Sequence, residues 1–130
     1  TITSTERQRR MKADNVSEQI LTQALDALAD IKAQNVLSID VRNLTGIAEY
    51  MVIASGTSTR HVKALADNVV EKCKEAGFRP LGVEGERDAE WVLIDLAGVI
   101  VHVMLPTTRR FYDLERLWMT PEAQQALPQT

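Results

Sequence analysis

The 130-residue chain is 45% apolar, 25% charged and 5% aromatic with a net charge of −3, which fits one domain built around a single hydrophobic core. No apolar run approaches the roughly 20 residues of a membrane span, and the opening TITSTERQRRMK has no apolar signal core, so no membrane association and a cytoplasmic location are expected. The one cysteine, Cys73, excludes an internal disulfide and offers no metal-site spacing.

Residues 1–15 read as a flexible basic segment, with Arg7, Arg9, Arg10 and Lys12 against Glu6 in the first twelve positions. Beyond Lys12 the chain carries eleven Lys and Arg against seventeen Asp and Glu, a balance of −6. Affinity for phosphate comes from counterion release by basic side chains, so an acidic domain is expected to hold a protein partner more than RNA.

Asn15 followed by Glu18 resembles a capping box, and Ile20, Leu21, Ala24, Leu25, Leu28 and Ile31 then recur at helical spacing, which predicts a first amphipathic helix. Val36 to Val41 alternates as a strand, and Tyr50 to Ser55 is apolar throughout, as expected of a strand covered on both faces. A second helix is predicted from Ser58 or Thr59 to Gly77, with a hydroxyl cap at its start and a glycine stop at its end. Cys73 falls at helical spacing with Val62, Leu65, Ala66 and Val69, which predicts core packing for the thiol.

Arg79-Pro80 is expected to begin a short strand through Glu84, followed by a polar loop from Gly85 to Ala89. Trp91 to Ile94 and Val99 to Met104 then flank Asp95-Leu96-Ala97-Gly98, the signature of a tight hairpin. Thr107 to Trp118 reads as largely helical, and Thr120-Pro121-Glu122 as the start of a last short helix. The order predicts an α/β single domain with a mixed sheet, because a helix can cross over between parallel strands whereas the hairpin must reverse the chain.

Chemistry-bearing groups are sparse. Ser55 to His61 places hydroxyls and backbone N–H groups at a helix start, so Gly56, Thr57 and Ser58 form a candidate anion-binding turn. It lacks the Lys of a P-loop and the spacing of a dinucleotide fingerprint, and a structural turn with capping hydroxyls is the favoured reading. Asp40, Glu84, Glu86 and Asp95 lie on or near strands, but no convincing closely spaced pair is present to hold Mg²⁺. His61 and His102 have no neighbours at ligand spacing, so no metal, no cofactor and no catalytic residue is nominated. Bulky side chains instead gather between Trp91 and Trp118, as at protein-binding surfaces.

The blocks VIASGTSTRHVKALAD, Val83-Glu84-Gly85 followed by Glu90-Trp91-Val92-Leu93-Ile94-Asp95, Val101-His102-Val103-Met104, and Arg110-Phe111-Tyr112-Asp113-Leu114-Glu115-Arg116-Leu117-Trp118 occur here in that order. On these blocks, from Ile20 to Trp118, the chain resembles the ribosomal silencing factor S family, also called Iojap-like proteins. It departs at Glu49, where the family usually carries Asp. The resemblance implies a five-stranded sheet flanked by helices and related to nucleotidyltransferases, a silencing-factor domain over 16–118 and a short extension over 119–130. It also implies a non-enzymatic translational repressor that binds the large ribosomal subunit through its fourteenth protein and blocks joining of the small subunit under nutrient shortage, with a related role in large-subunit assembly. The expected contact residues are Trp91, Leu96, His102, Met104, Tyr112 and Leu114, with little direct rRNA contact. A nucleotide-binding enzyme at Gly56 to Ser58 and a homodimer of the free protein are the alternatives.

Overall fold

The computed structural model describes residues 4–42, 46 and 48–113, with side chains from residue 16 onward. The first helix, α1, spans Ser4–Asp30, so Asn15 and Glu18 lie inside it and the expected capping box does not start it. The reason is local. Residues 4–15 contain Glu, Arg, Gln, Met, Lys and Ala and neither Gly nor Pro, so nothing ends the helix upstream of its amphipathic stretch. From Ile20 on, α1 buries Ile20, Ala24, Ala27 and Leu28 on one face.

Five strands follow the predicted pattern: β1 Gln34–Asp40, β2 Tyr50–Ser55, β3 Gly82–Glu84, β4 Trp91–Asp95 and β5 Val99–Met104. They form one mixed sheet in the order β1-β2-β5-β4-β3. β2 and β5 are parallel, and the other neighbours are antiparallel. Pro80 precedes β3 instead of opening it. The register of β1 slips between Gln34 and Leu37, where Asn35 takes a positive φ of 50°. Such an extra residue is a β-bulge, and Asn tolerates the left-handed region better than most side chains.

The second helix, α2, spans Thr59–Glu75. Its start is fixed by the Ser58 hydroxyl, which accepts from the His61 N–H at 3.1 Å. Its end is a Schellman arrangement: Gly77 at φ 93° donates to the Lys74 carbonyl and Phe78 donates to that of Cys73. Phe78 then packs on the core.

Strand alternation sorts the sheet's side chains into two sets. Val52, Ala54, Val92, Ile94, Val99, Val101 and Val103 pack with the apolar faces of α1 and α2 in the main core. Cys73 sits there with no exposure, and burial pushes its thiol pKa up to about 11. On the opposite face Met51, Ile53 and Met104 form a second cluster with Val41 and Ala48, against which Ile39, Trp91 and Ile100 pack. A short helix, α3, spans Pro106–Tyr112 after β5 and ends at Asp113, whose φ of 47° and ψ of 48° turn the chain away. The expected helix beyond that point and the one at Thr120 lie outside the described residues.

Candidate partner-binding site

The face opposite α1 and α2 carries a row of rings that runs from the interior to the surface. His102, 5% exposed, is its inner end. Trp91 is half-buried beside it, with ring centroids 5.8 Å apart, and its indole Nε1–H donates to His102 Nδ1 at 2.9 Å. That bond requires a lone pair on Nδ1, which places the neutral ring's proton on Nε2. Burial agrees, lowering the His102 pKa to about 4.

Tyr112 follows at 5.0 Å from Trp91, tilted by 47°, and Phe111 follows at 5.0 Å from Tyr112, edge to face at 80°. These separations lie in the favourable range for aromatic pairs. Exposure rises along the row, to 55% at Tyr112 and 81% at Phe111. Phe111 is thus a large apolar ring left in water at the tip of a preorganised stack.

Of the six expected contact residues, Trp91, His102 and Tyr112 are brought together here. Two are corrected. Leu96 is 2% exposed and packs in the main core with Val92 and Ile94, so almost none of its surface is open in the free chain. Met104 pairs with Trp91 across β4 and β5 and belongs to the same face, but it is fully buried beneath the row and supports it from below. Leu114 lies outside the described residues. Phe111 was missing from the expected set, although its place beside Tyr112 in a chain only 5% aromatic was a usable signal.

The row is held in place from both ends. Gly85, at φ 86°, lies so close to the Trp91 backbone that a Cβ there would come within 2.0 Å of the Trp91 carbonyl oxygen. At the other end Arg109 of α3 donates through Nη1 to the Asn35 carbonyl at 2.6 Å and to Ser55 Oγ at 3.0 Å. Asn35, Ser55, Pro106, Arg109, Arg110 and Asp113 line a cleft of about 440 Å³ there.

The Gly56-Thr57-Ser58 turn is occupied by its own structure, which argues against the anion-binding reading. The Gly56 N–H donates to the Met104 carbonyl, and the Thr57 N–H donates to His61 Nδ1 at 2.9 Å. The Ser58 hydroxyl is engaged by the His61 N–H. His61 Nε2 in turn donates to the Ile31 carbonyl at 2.6 Å, so the ring ties the start of α2 to the end of α1. Donors that point inward at fixed acceptors are not aimed at a ligand.

The carboxylates are likewise dispersed. Asp40 pairs with Tyr50, which in turn pairs with Val99, whereas Asp95 pairs with Ile100, so alternation sends the two carboxylates to opposite faces. Asp40 pairs with Arg42 at 2.6 Å, and hydrogen bonds from Arg42 hold its pKa below the usual carboxylate value. Asp95 accepts from the Ala97 N–H in the hairpin turn. Among the described residues no three His, Cys, Asp or Glu side chains converge as metal ligands, and no helix is long and apolar enough to cross a membrane.

The described residues thus form a mixed sheet with helical cover on one face and aromatic rings of graded exposure on the other. The profile described as "Ribosomal silencing factor during starvation" matches residues 13–130. Among its relatives is a ribosomal silencing factor of Chromobacterium violaceum, 46% identical over 78% of this chain and 83% of that one. Another, from Haemophilus influenzae, is 42% identical over 72% of this chain and 92% of that one. A mouse protein named for mitochondrial assembly of the ribosomal large subunit is 36% identical over 66% of this chain and 39% of its own length. A crystal structure of a Chromobacterium violaceum protein superposes with a TM-score of 0.77 at 45% identity, covering 80% of this chain and 88% of that chain. The chain belongs to the ribosomal silencing factor family.

Proposed function

We propose that this protein is a non-enzymatic translational repressor that binds the large ribosomal subunit, chiefly its fourteenth protein, and by occupying the subunit-joining surface keeps the small subunit away. The observation that carries the reading is the ring row ending in Phe111, 81% exposed and backed by Tyr112 and the half-buried Trp91. Aromatic side chains already held against one another bury large area on binding at small entropic cost, which is the profile of a hot spot. The names of the relatives supply the ribosomal context, silencing in bacteria and large-subunit assembly in the mitochondrial case. A part in large-subunit assembly is compatible with the same contact.

The test is a subunit-joining assay with purified subunits and purified protein. The expected result is co-sedimentation with the large subunit alone, capture by the isolated fourteenth protein, and loss of joined ribosomes. Binding to the small subunit, or joining that proceeds with the large subunit saturated, would sink the steric mechanism. Calorimetry with nucleoside triphosphates and Mg²⁺ tests the enzymatic alternative, for which no heat of binding is expected.

A further inference from the structure

We infer that Arg109 is a positioning residue: by clamping α3 to the bulge of β1 it sets the angle at which Tyr112 and Phe111 are presented. The inference rests on the reading that these rings contact the partner. α3 is seven residues long, has no side-chain hydrogen bond at its start and buries none of its residues. A helix of that length is not stable by its own hydrogen bonds, and here no fully buried side chain supplies the difference. Its orientation therefore depends on particular side-chain ties to the sheet.

Arg109 makes two such ties through one nitrogen. Its Nη1 reaches two strands at once, β1 through the Asn35 carbonyl at 2.6 Å and β2 through Ser55 Oγ at 3.0 Å. Charge-assisted bonds of this kind exceed neutral ones in strength. The acceptor on β1 is no ordinary ladder carbonyl, because it belongs to the residue at which the register slips and φ is 50°. The bulge turns one carbonyl out of the sheet and toward α3. Helical periodicity then relates the clamp to the rings. Tyr112 lies three residues after Arg109 and shares its body-facing side, where it meets Trp91, whereas Phe111, two residues after, is carried to the outer side.

The experiment compares four variants of the full chain by affinity for purified large subunits and by the Trp91 indole N–H resonance in ¹⁵N-labelled protein, assigned with Trp91→Phe. Arg109→Met is expected to keep the amide spectrum of a folded domain, to shift the Trp91 resonance and to weaken binding at least tenfold. Asn35→Val, which disfavours the bulge while leaving Arg109 in place, is expected to do the same. Asn35→Gly, which accepts the positive φ, should restore what Asn35→Val loses. Phe111→Ala should weaken binding with the Trp91 resonance unmoved. Arg109→Met that binds like wild type beside a weakened Phe111→Ala overturns the clamp. Weak binding by Arg109→Met with an unmoved Trp91 resonance also overturns it, since Arg109 would then touch the partner directly. If Arg109→Met fails to fold, the contrast between Asn35→Val and Asn35→Gly decides, and equal binding by the two rejects the role. Wild-type affinity in Phe111→Ala would instead remove the binding-site reading on which the clamp rests.

Discussion

Trp91 and His102 form a neutral pair beside the apolar cluster of Met51, Ile53 and Met104, and this has a consequence for stability against pH. The His102 pKa falls from 6.5 to about 4 on burial. A depressed histidine leaves the native state with fewer bound protons than the unfolded chain below pH 6.5, so stability is full above that value, declines as pH drops toward 4 and levels off below. The shift corresponds to about 3 kcal/mol over that window. Chemical denaturation at a series of pH values should show that loss in the wild type and not in His102→Asn, whose amide oxygen can still accept from Trp91. A second contrast separates contact from core. Phe111→Ala should leave the melting temperature nearly unchanged and weaken subunit binding by at least about 2 kcal/mol. Leu96→Ala should cost about 2–5 kcal/mol of stability while its folded fraction binds normally. The bulk of Leu96 suggests a contact residue, whereas its parity places it inside. Asp95 faces the ring row, so the next residue must face the helices, and alternation in β4 held that answer. Arg109 carried no such signal, because its acceptors lie 74 and 54 residues away in sequence.

At the scale of elements, what the residues announced locally is what formed. Tyr50–Ser55 and Val99–Met104 have the bounds that their apolar runs imply, and the Ser58 cap and Gly77 stop hold α2 where hydroxyl and glycine chemistry put them. Two features were decided by competition that no short window contains. The start of α1 moved to Ser4 because helix-forming residues upstream outweighed a capping motif. The placing of β5 between β2 and β4 depends on pairing across α2 and two further strands, and the crossover alone does not name the neighbour. The loop from Gly85 to Ala89 shows how strictly one element can govern the site. A Cβ at Gly85 would meet the Trp91 carbonyl at 2.0 Å, and the backbone there sits at φ 86°. Gly85→Ala is therefore expected to cost more than about 2 kcal/mol and to broaden or displace the Trp91 indole resonance. Thermal melts and the indole spectrum check both halves. Gly82→Ala, on β3 with open space around its Cα, is the control and should be mild.

For the molecule as a whole, charge sets an expectation for how binding responds to salt. Outside the first twelve residues the balance is −6, which leaves few basic groups to neutralise phosphates. The logarithm of the affinity for large subunits should fall with the logarithm of salt at a slope shallower than about −2. A slope near −4 would mean about four phosphates engaged and would move the contact from ribosomal protein to rRNA. Removing residues 1–12 should then make little difference to the slope. The sheet's division into a helix-covered side and a ring-bearing side also puts the single thiol on the side away from the rings. Cys73 has no exposed surface, and its pKa of about 11 leaves almost no thiolate at neutral pH. The native chain is thus nearly silent toward maleimides, and a cysteine introduced on the exposed Val36 or Leu81 becomes the one place a fluorophore attaches, so docking on the ribosome can be followed by energy transfer without first stripping out a native reactive group.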